Sequence, residues 1–280
     1  MDIRLFRSED IDFAAACTAA EGWTGESREV LEGFFRYDPN GCFLAERDGK
    51  RLGLCVAVNY GRAGFIGELV VVPEARGGLI GPRLLEAAVD YLHAKGAEEL
   101  YLDAVLGAVP YYTRVGFRSV CRSRRFVGSP PIQVHPSVRF MKEADMDAVC
   151  SLDRTAFGAD RSFFLRMRFQ LYPRFAKIYE SQGRISGFVM GLETGDKISV
   201  GPWIADDGCK EPSALLRSLA SEADRPIRIG ILESHTRGIS LIESLGGFQE
   251  HAFSMRMCMG PGGGLGRSPS AFAVCSPAMG

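Results

Sequence analysis

Arg76-Gly77-Gly78-Leu79-Ile80-Gly81-Pro82 is the stretch whose residue types and spacing point most directly to chemistry. Glycines strip side chains from the backbone, so several N–H groups face outward with little in their way. A helix opening from such a loop begins with N–H groups that have no partner inside the helix, and its dipole favours negative charge there. The combination makes a cradle for a phosphate or pyrophosphate. The same letters also describe a tight strand-to-helix turn that binds nothing, and spacing alone does not separate the two. Pro82 has no N–H; it suits a first helical turn and removes one donor from the cradle.

The elements that must position this loop are legible on both sides of it. Leu69 to Val72 is an apolar, mostly β-branched strand ending at Pro73, and Leu79 to Lys95 is a helix with Leu84, Leu85, Ala88, Val89 and Leu92 at helical spacing and Gly96 after it. Upstream come a strand (3–6), helices (11–20 and 28–37), a hairpin (42–46 and 52–60) around Arg47-Asp48-Gly49-Lys50, and a strand (64–72). Downstream come a strand (100–104), a short helix (109–115) and a strand (117–127). Gly128 to Pro136 holds three prolines and no helical period. After it the same order of elements returns: Val138 to Asp145 echoes Ile3 to Asp10, and Ile198 to Trp203 parallels Leu69 to Pro73. Pro73 to Phe117 is 44 residues and Pro202 to Phe248 is 46, the mark of a tandem duplication. The expected architecture is α+β: two tandem domains at 1–127 and 138–280 joined by a linker at 128–137. Each has a mostly antiparallel mixed sheet flanked by helices. In the tail, Ala271 to Val274 is an expected edge strand.

Composition narrows the function. A net charge of −1 gives no electrostatic case for nucleic acid or an anionic membrane, and no apolar run reaches the roughly 20 residues of a membrane span. Met-Asp-Ile-Arg-Leu-Phe lacks the apolar core of a secretory signal. Eight scattered cysteines without C-x-x-C spacing read as buried thiols, and four dispersed histidines hold no metal pattern. The expectation is a cytoplasmic protein without a metal.

Val72-Pro-Glu-Ala-Arg-Gly-Gly-Leu-Ile-Gly81 together with Tyr112-Thr-Arg-Val-Gly-Phe117 resembles the GNAT superfamily of N-acetyltransferases. The signature Arg/Gln-x-x-Gly-x-Gly/Ala falls on Arg76, Leu79 and Gly81, and a Tyr with Gly-Phe four residues on falls on Tyr112, Gly116 and Phe117. The resemblance covers residues 1–127, and the tandem order resembles a two-repeat GNAT subgroup. It implies acetyl-CoA as cosubstrate: Leu69, Val70 and Val71 pair with the pantetheine arm, and Arg76, Gly77, Gly78, Leu79, Ile80, Gly81 and Pro82 hold the pyrophosphate. Leu79 departs from the family's glycine, which is tolerable where its side chain points away.

Acetyl transfer to an amine needs the amine neutral, the thioester oxygen stabilised and the departing sulfur protonated. By the resemblance, Glu68 is the candidate base, an N–H near Val70 the polarising donor, and Tyr112 the candidate acid, a phenol being able to give its proton to a thiolate. Each also has a plain structural alternative: a strand-edge carboxylate, and an aromatic packing the short helix, as Tyr111 does if it does not reach the acceptor. Trp23 either lines the acceptor pocket or belongs to the core, and Asp103 is a candidate for attracting the amine. In the second repeat, Ile204-Ala-Asp-Asp-Gly-Cys-Lys-Glu-Pro212 puts acidic residues where the cradle would be, and Glu243 stands in the place of Tyr112. That repeat is expected to bind no CoA and to shape the acceptor cleft, with Trp203, Arg237 and Arg256 as contributors. The implied activity is acetyl transfer to a small-molecule amine or amino acid, with no nucleic acid or membrane partner; the alternatives are a non-catalytic acyl-CoA-binding regulator and transfer of an aminoacyl or longer acyl group.

Overall fold

Between Asp2 and Leu102, short β-branched runs alternate with helices that are apolar on one side. β1 (Asp2–Leu5) is followed by α1 (Ile11–Ala20) and α2 (Arg28–Tyr37). Next come β2 (Cys42–Arg47), β3 (Lys50–Asn59), β4 (Ala63–Val71), α3 (Ile80–Ala94) and β5 (Glu99–Ala104). The computed structural model describes residues 1–23, 25 and 27–280, in two units. The first holds Met1–Leu102, Cys258–Gly262 and Pro277–Met279. Its strands run β1-β2-β3-β4-β5, antiparallel except for the parallel β4–β5 pair.

Two local features of this unit position the loop after β4. Gly64 lets α3 seat closely, since a Cβ there would lie 2.7 Å from both methyls of Leu92. Later in β4, Val56 faces Gly67 and Leu54 faces Val70, so Glu68 and Leu69 together oppose Cys55. Glu68 takes the extra place of this β-bulge in the left-handed region, φ 51°. β4 begins at Ala63, in line with the expected strand at 64–72, and Glu68 lies at a kink near its end. Pairing with β5 runs from Ala63↔Glu99 to Phe65↔Tyr101.

The second unit holds Asp103–Met257, Gly263–Ser276 and Gly280. Its elements are α4 (Val109–Arg114), β6 (Arg118–Gly128), β7 (Val138–Phe140), α5 (Met146–Phe157) and α6 (Ser162–Leu171). They continue with β8 (Ala176–Ser181), β9 (Arg184–Thr194), β10 (Lys197–Ala205), α7 (Pro212–Ala220) and β11 (Ile227–Leu232). The last are α8 (Thr236–Leu245), β12 (Phe248–Met259) and β13 (Ala271–Ala273). Strand order is β12-β6-β11-β10-β9-β8-β7. Trp203, Phe175, Leu215, Leu219, Ile229 and Phe272 are among its fully buried core.

Each repeat keeps the same ion-paired corner. Arg4 reaches Asp10 and Glu46, and Asp10 accepts from the Arg7 N–H at 2.8 Å. In the second repeat Arg139 reaches Asp145 and Glu180, and Asp145 accepts from the Lys142 N–H at 2.7 Å. The bulge is repeated as well: Val200 faces Gly191 and Trp203 faces Val189, leaving Gly201 and Pro202 opposite Met190. Pro202 thus matches Leu69 in the strand rather than Pro73.

Candidate functional site

The loop after β4 is built to leave backbone donors bare. Ala75 and Arg76 close a short 3-10 turn onto Val72 and Pro73, and Gly77 then turns the chain with φ 82°, a conformation that costs a side-chain-bearing residue energy. α3 begins without a side-chain cap; the Arg83 N–H closes its first turn on the Leu79 carbonyl at 3.0 Å. The N–H groups of Ile80 and Gly81 precede that bond and have no partner within the helix. A Cβ on Gly78 would meet nothing within 4 Å, so the space in front of the loop is open. Leu79 is 72% exposed, so its side chain points to solvent. These features fit an acidic pyrophosphate group.

Arg76 braces this loop against its surroundings. Its Nε donates to the Val71 carbonyl at 2.9 Å, and its Nη2 pairs with Glu21 just past the end of α1. The guanidinium thus ties the β4–α3 loop to the turn that carries Trp23, whose own N–H donates to Thr18 at 2.9 Å. Trp23 is half-buried. Glu68 is buried, at 5% exposure, beside the Cys55 thiol, whose Sγ contacts the Gly67 carbonyl at 3.7 Å. Burial first, and the Glu68 charge second, push the Cys55 thiol well above the usual range. Burial likewise moves Cys17 up to about 11 and Cys42 up to about 12. Thiols so raised are almost wholly protonated at neutral pH and make poor nucleophiles.

Residues 7–117 match the acetyltransferase (GNAT) family and residues 149–264 an acetyltransferase (GNAT) domain. N-alpha-acetyltransferase 30 of Schizosaccharomyces pombe is 30% identical over 35% of this chain and 69% of its own length. The chain belongs to the GNAT acetyltransferase family. It carries two GNAT domains in tandem. An uncharacterized N-acetyltransferase of Bacillus subtilis, YitH, is 25% identical over 66% of this chain, a match spanning 65% of that protein. A Pyrococcus horikoshii protein assigned as an acetyltransferase shares the fold at a TM-score of 0.83 and 22% identity, covering 100% of this chain and 95% of that one.

Within this GNAT frame the first unit gathers Glu68, the strand end Leu69 to Val71, the loop Arg76 to Pro82 and, through Arg76 and Glu21, the turn of Trp23. Tyr111, Tyr112 and Asp103 belong to the second unit. Tyr112 is buried on α4, edge-on to Phe117 at 5.9 Å, and its carbonyl accepts from the Phe117 N–H at 3.0 Å; the Gly116-Phe117 turn thereby fixes the ring. Tyr111 is half-buried, its ring 5.3 Å from that of Tyr112. Asp103 does not meet the expectation of an exposed carboxylate waiting for an amine. Its side chain is 0% exposed and is held by Arg256 Nε at 2.5 Å and Arg125 Nη2 at 3.4 Å. Arg125 in turn donates to Ser254 at 3.1 Å, and burial lowers its pKa. Arg256, expected to lend charge to a cleft, is likewise spent on Asp103.

The second GNAT repeat departs from a donor site in two ways. Its loop carries Asp206, which accepts from the Gly208 N–H at 2.8 Å, and Glu211 occupies the cap position of α7, so carboxylates stand where a pyrophosphate would. Its strand gap is also filled. β10 and β11 pair from Ile198↔Ile227 to Val200↔Ile229, and beyond that point β13 takes the place alongside β10, with Trp203↔Ala273 and Ile204↔Ala271. The Val274 N–H donates to Gly230 of β11 at 3.0 Å, and the Ala205 N–H to Ser270 at 2.9 Å. Phe272 is buried against Trp203, ring centroids 4.8 Å apart. Trp203 is therefore a core residue, 0% exposed, and the expected edge strand at 271–274 lies inside the sheet. Glu243, in the place of Tyr112, is an exposed partner of Arg124 at 3.4 Å.

Sequence reasoning missed Glu21, the arginine clamp on Asp103, and the plugging by β13. A carboxylate just past a helix and an apolar tripeptide in a Gly/Pro tail carry no local pattern; only the fold brings their partners. Among the described residues no helix is long and apolar enough to cross a membrane, and no three His, Cys, Asp or Glu side chains cluster as a metal site.

Proposed function

We propose that this chain transfers an acetyl group from acetyl-CoA to the amine of a small molecule or amino acid, directly, at its first GNAT repeat. The observation that carries the reading is the bare start of α3, with Gly77 in the left-handed region and Leu79 turned outward. Ile80 and Gly81 N–H groups hold the pyrophosphate, and the β4 edge from Leu69 to Val71 pairs with the pantetheine amides as an added strand would. The bulge re-aims the strand so that an N–H near Val70 meets the thioester carbonyl. Glu68 takes the amine proton, directly or through water, and Tyr112 returns a proton to the departing sulfur.

Direct transfer is favoured over an acyl-enzyme, because burial raises the thiols of Cys17, Cys42 and Cys55, three of the four cysteines of the first unit, above their usual range. The acidic loop and β13 in the second repeat support a single donor site per chain, with the domains at 1–127 and 138–280 dividing labour between catalysis and support. The test is a panel of small amines and amino acids assayed for free CoA release. Turnover with at least one, reduced in Tyr112→Phe without loss of acetyl-CoA affinity, supports the reading. Tight acetyl-CoA binding with no turnover across the panel replaces it with a non-catalytic acyl-CoA binder.

A further inference from the structure

The segment Pro277–Met279, far from β4 in sequence, belongs to the first unit and lies on β4 next to Glu68. A Cβ built on Gly67 would come 2.5 Å from the Ala278 Cβ, 2.7 Å from its Cα and 3.0 Å from its carbonyl oxygen. Gly67 is therefore glycine because residue 278 passes directly over it. The segment is fastened: Tyr60 Oη donates to the Met279 carbonyl at 3.0 Å, and Ala278 and Met279 are 2% and 1% exposed.

The face matters. Side chains alternate along a strand, and the Cβ position of Gly64 points to Leu92 of α3. Gly67, three residues on and before the bulge, points to the other face, where its Cβ position meets Ala278 rather than α3. The pyrophosphate cradle is at the start of α3, so a donor thread comes in over the α3 end. An acceptor then approaches Glu68 from the opposite face, where Ala278 lies over Gly67.

We infer that Pro277–Met279 walls the acceptor site and that the side chain at position 278 sets the size of amine admitted, an assignment that rests on the acetyl-transfer reading above. The wall is apolar and close, so it selects compact primary amines and excludes those with bulk next to the nitrogen. The carboxylate chemistry stays with Glu68, and residue 278 contributes shape alone.

The experiment measures kcat and KM for a graded series of primary amines, with acetyl-CoA saturating, in wild type, Ala278→Gly, Ala278→Val and Met279→Ala. A methylene of fit in an apolar pocket is worth about 10- to 200-fold in selectivity. Ala278→Gly is expected to shift the preference at least tenfold toward larger amines, and Ala278→Val to raise the KM of the best acceptor about tenfold. The KM of acetyl-CoA should stay within about twofold, a split that general loosening of the fold would not give. Should Ala278→Val fail to fold, Ala278→Gly and Met279→Ala carry the comparison. Turnover with an unchanged ranking of amines in these variants overturns the inference alone. Absence of turnover in the wild type across the series overturns the acetyl-transfer reading and this inference with it.

Discussion

Replacing Glu68 by Gln isolates its charge. The amide fills nearly the same volume, so the buried pocket at 5% exposure and the bulge with φ 51° are retained while the proton acceptor is lost. General-base assistance contributes about 10²- to 10⁴-fold to rate, so kcat/KM at pH 7 should fall by that factor, or about 2.7–5.5 kcal/mol in barrier. The deficit should also depend on pH. A primary amine with a pKa near that of lysine is about 0.04% neutral at pH 7, and each unit of alkalinity raises that fraction tenfold until the pKa is reached. With a base present this gain is partly redundant; without one it sets the rate. The ratio of wild type to Glu68→Gln should thus shrink progressively between pH 7 and 10. Steady-state CoA release over that range, beside acetyl-CoA affinity by calorimetry, makes the assay. A deficit that is absent, or that stays constant with pH while acetyl-CoA affinity is unchanged, would refute the assignment of Glu68 as base.

Other outcomes follow from the same geometry. Tyr112→Phe should lower kcat by about 10²-fold while leaving acetyl-CoA affinity within twofold, and stopped-flow binding beside turnover separates the two. Gly77→Val forces a β-branched residue into a left-handed conformation worth about 1–2 kcal/mol or more, so acetyl-CoA affinity should drop roughly 5- to 30-fold with the melting temperature little changed. In the second repeat, the Arg139 hydrogen bond lowers the Asp145 pKa, against the opposing effect of burial. A carboxyl lowered in the folded state contributes stability that is present above its unfolded value near ~3.9 and is lost as pH falls through the folded value. Asp145→Asn should therefore cost about 1–2 kcal/mol at pH 7, discounted because Arg139 is partly exposed, and should flatten the acid limb of a urea-denaturation series below about pH 4.

The fold was legible where burial imposes a period. The helix at 80–94, the hairpin of β2 and β3, and the return of the Arg4–Asp10 corner as Arg139–Asp145 all show in residue spacing. β12 was not, because its first residues from Gln249 to Ala252 are exposed and polar or small and follow no two-residue alternation. β13 was visible as an apolar tripeptide but not as a filler, since its partners on β10 and β11 are distant in sequence. At the candidate site, the glycine turn at Gly77 and the start of α3 just after it were readable from residue spacing, while the exposure of the Leu79 side chain was not. Asp103 was misjudged for the reverse reason: a carboxylate near a strand end looks available until Arg125 and Arg256 are found on it.

The central claim is one acyl-CoA site, in the first repeat. Isothermal titration of the intact chain with acetyl-CoA tests it, alongside Gly78→Glu and Asp207→Ala. A side chain at Gly78 meets nothing within 4 Å in the free protein, so the variant should fold, yet it places a carboxylate in the mouth of the cradle. Like charges about 4 Å apart near a protein surface repel by about 4 kcal/mol before salt screening, enough to weaken binding at least a hundredfold. The account predicts a stoichiometry of one, near-complete loss in Gly78→Glu and no change in Asp207→Ala. Two sites per chain, or full affinity in Gly78→Glu, would contradict it.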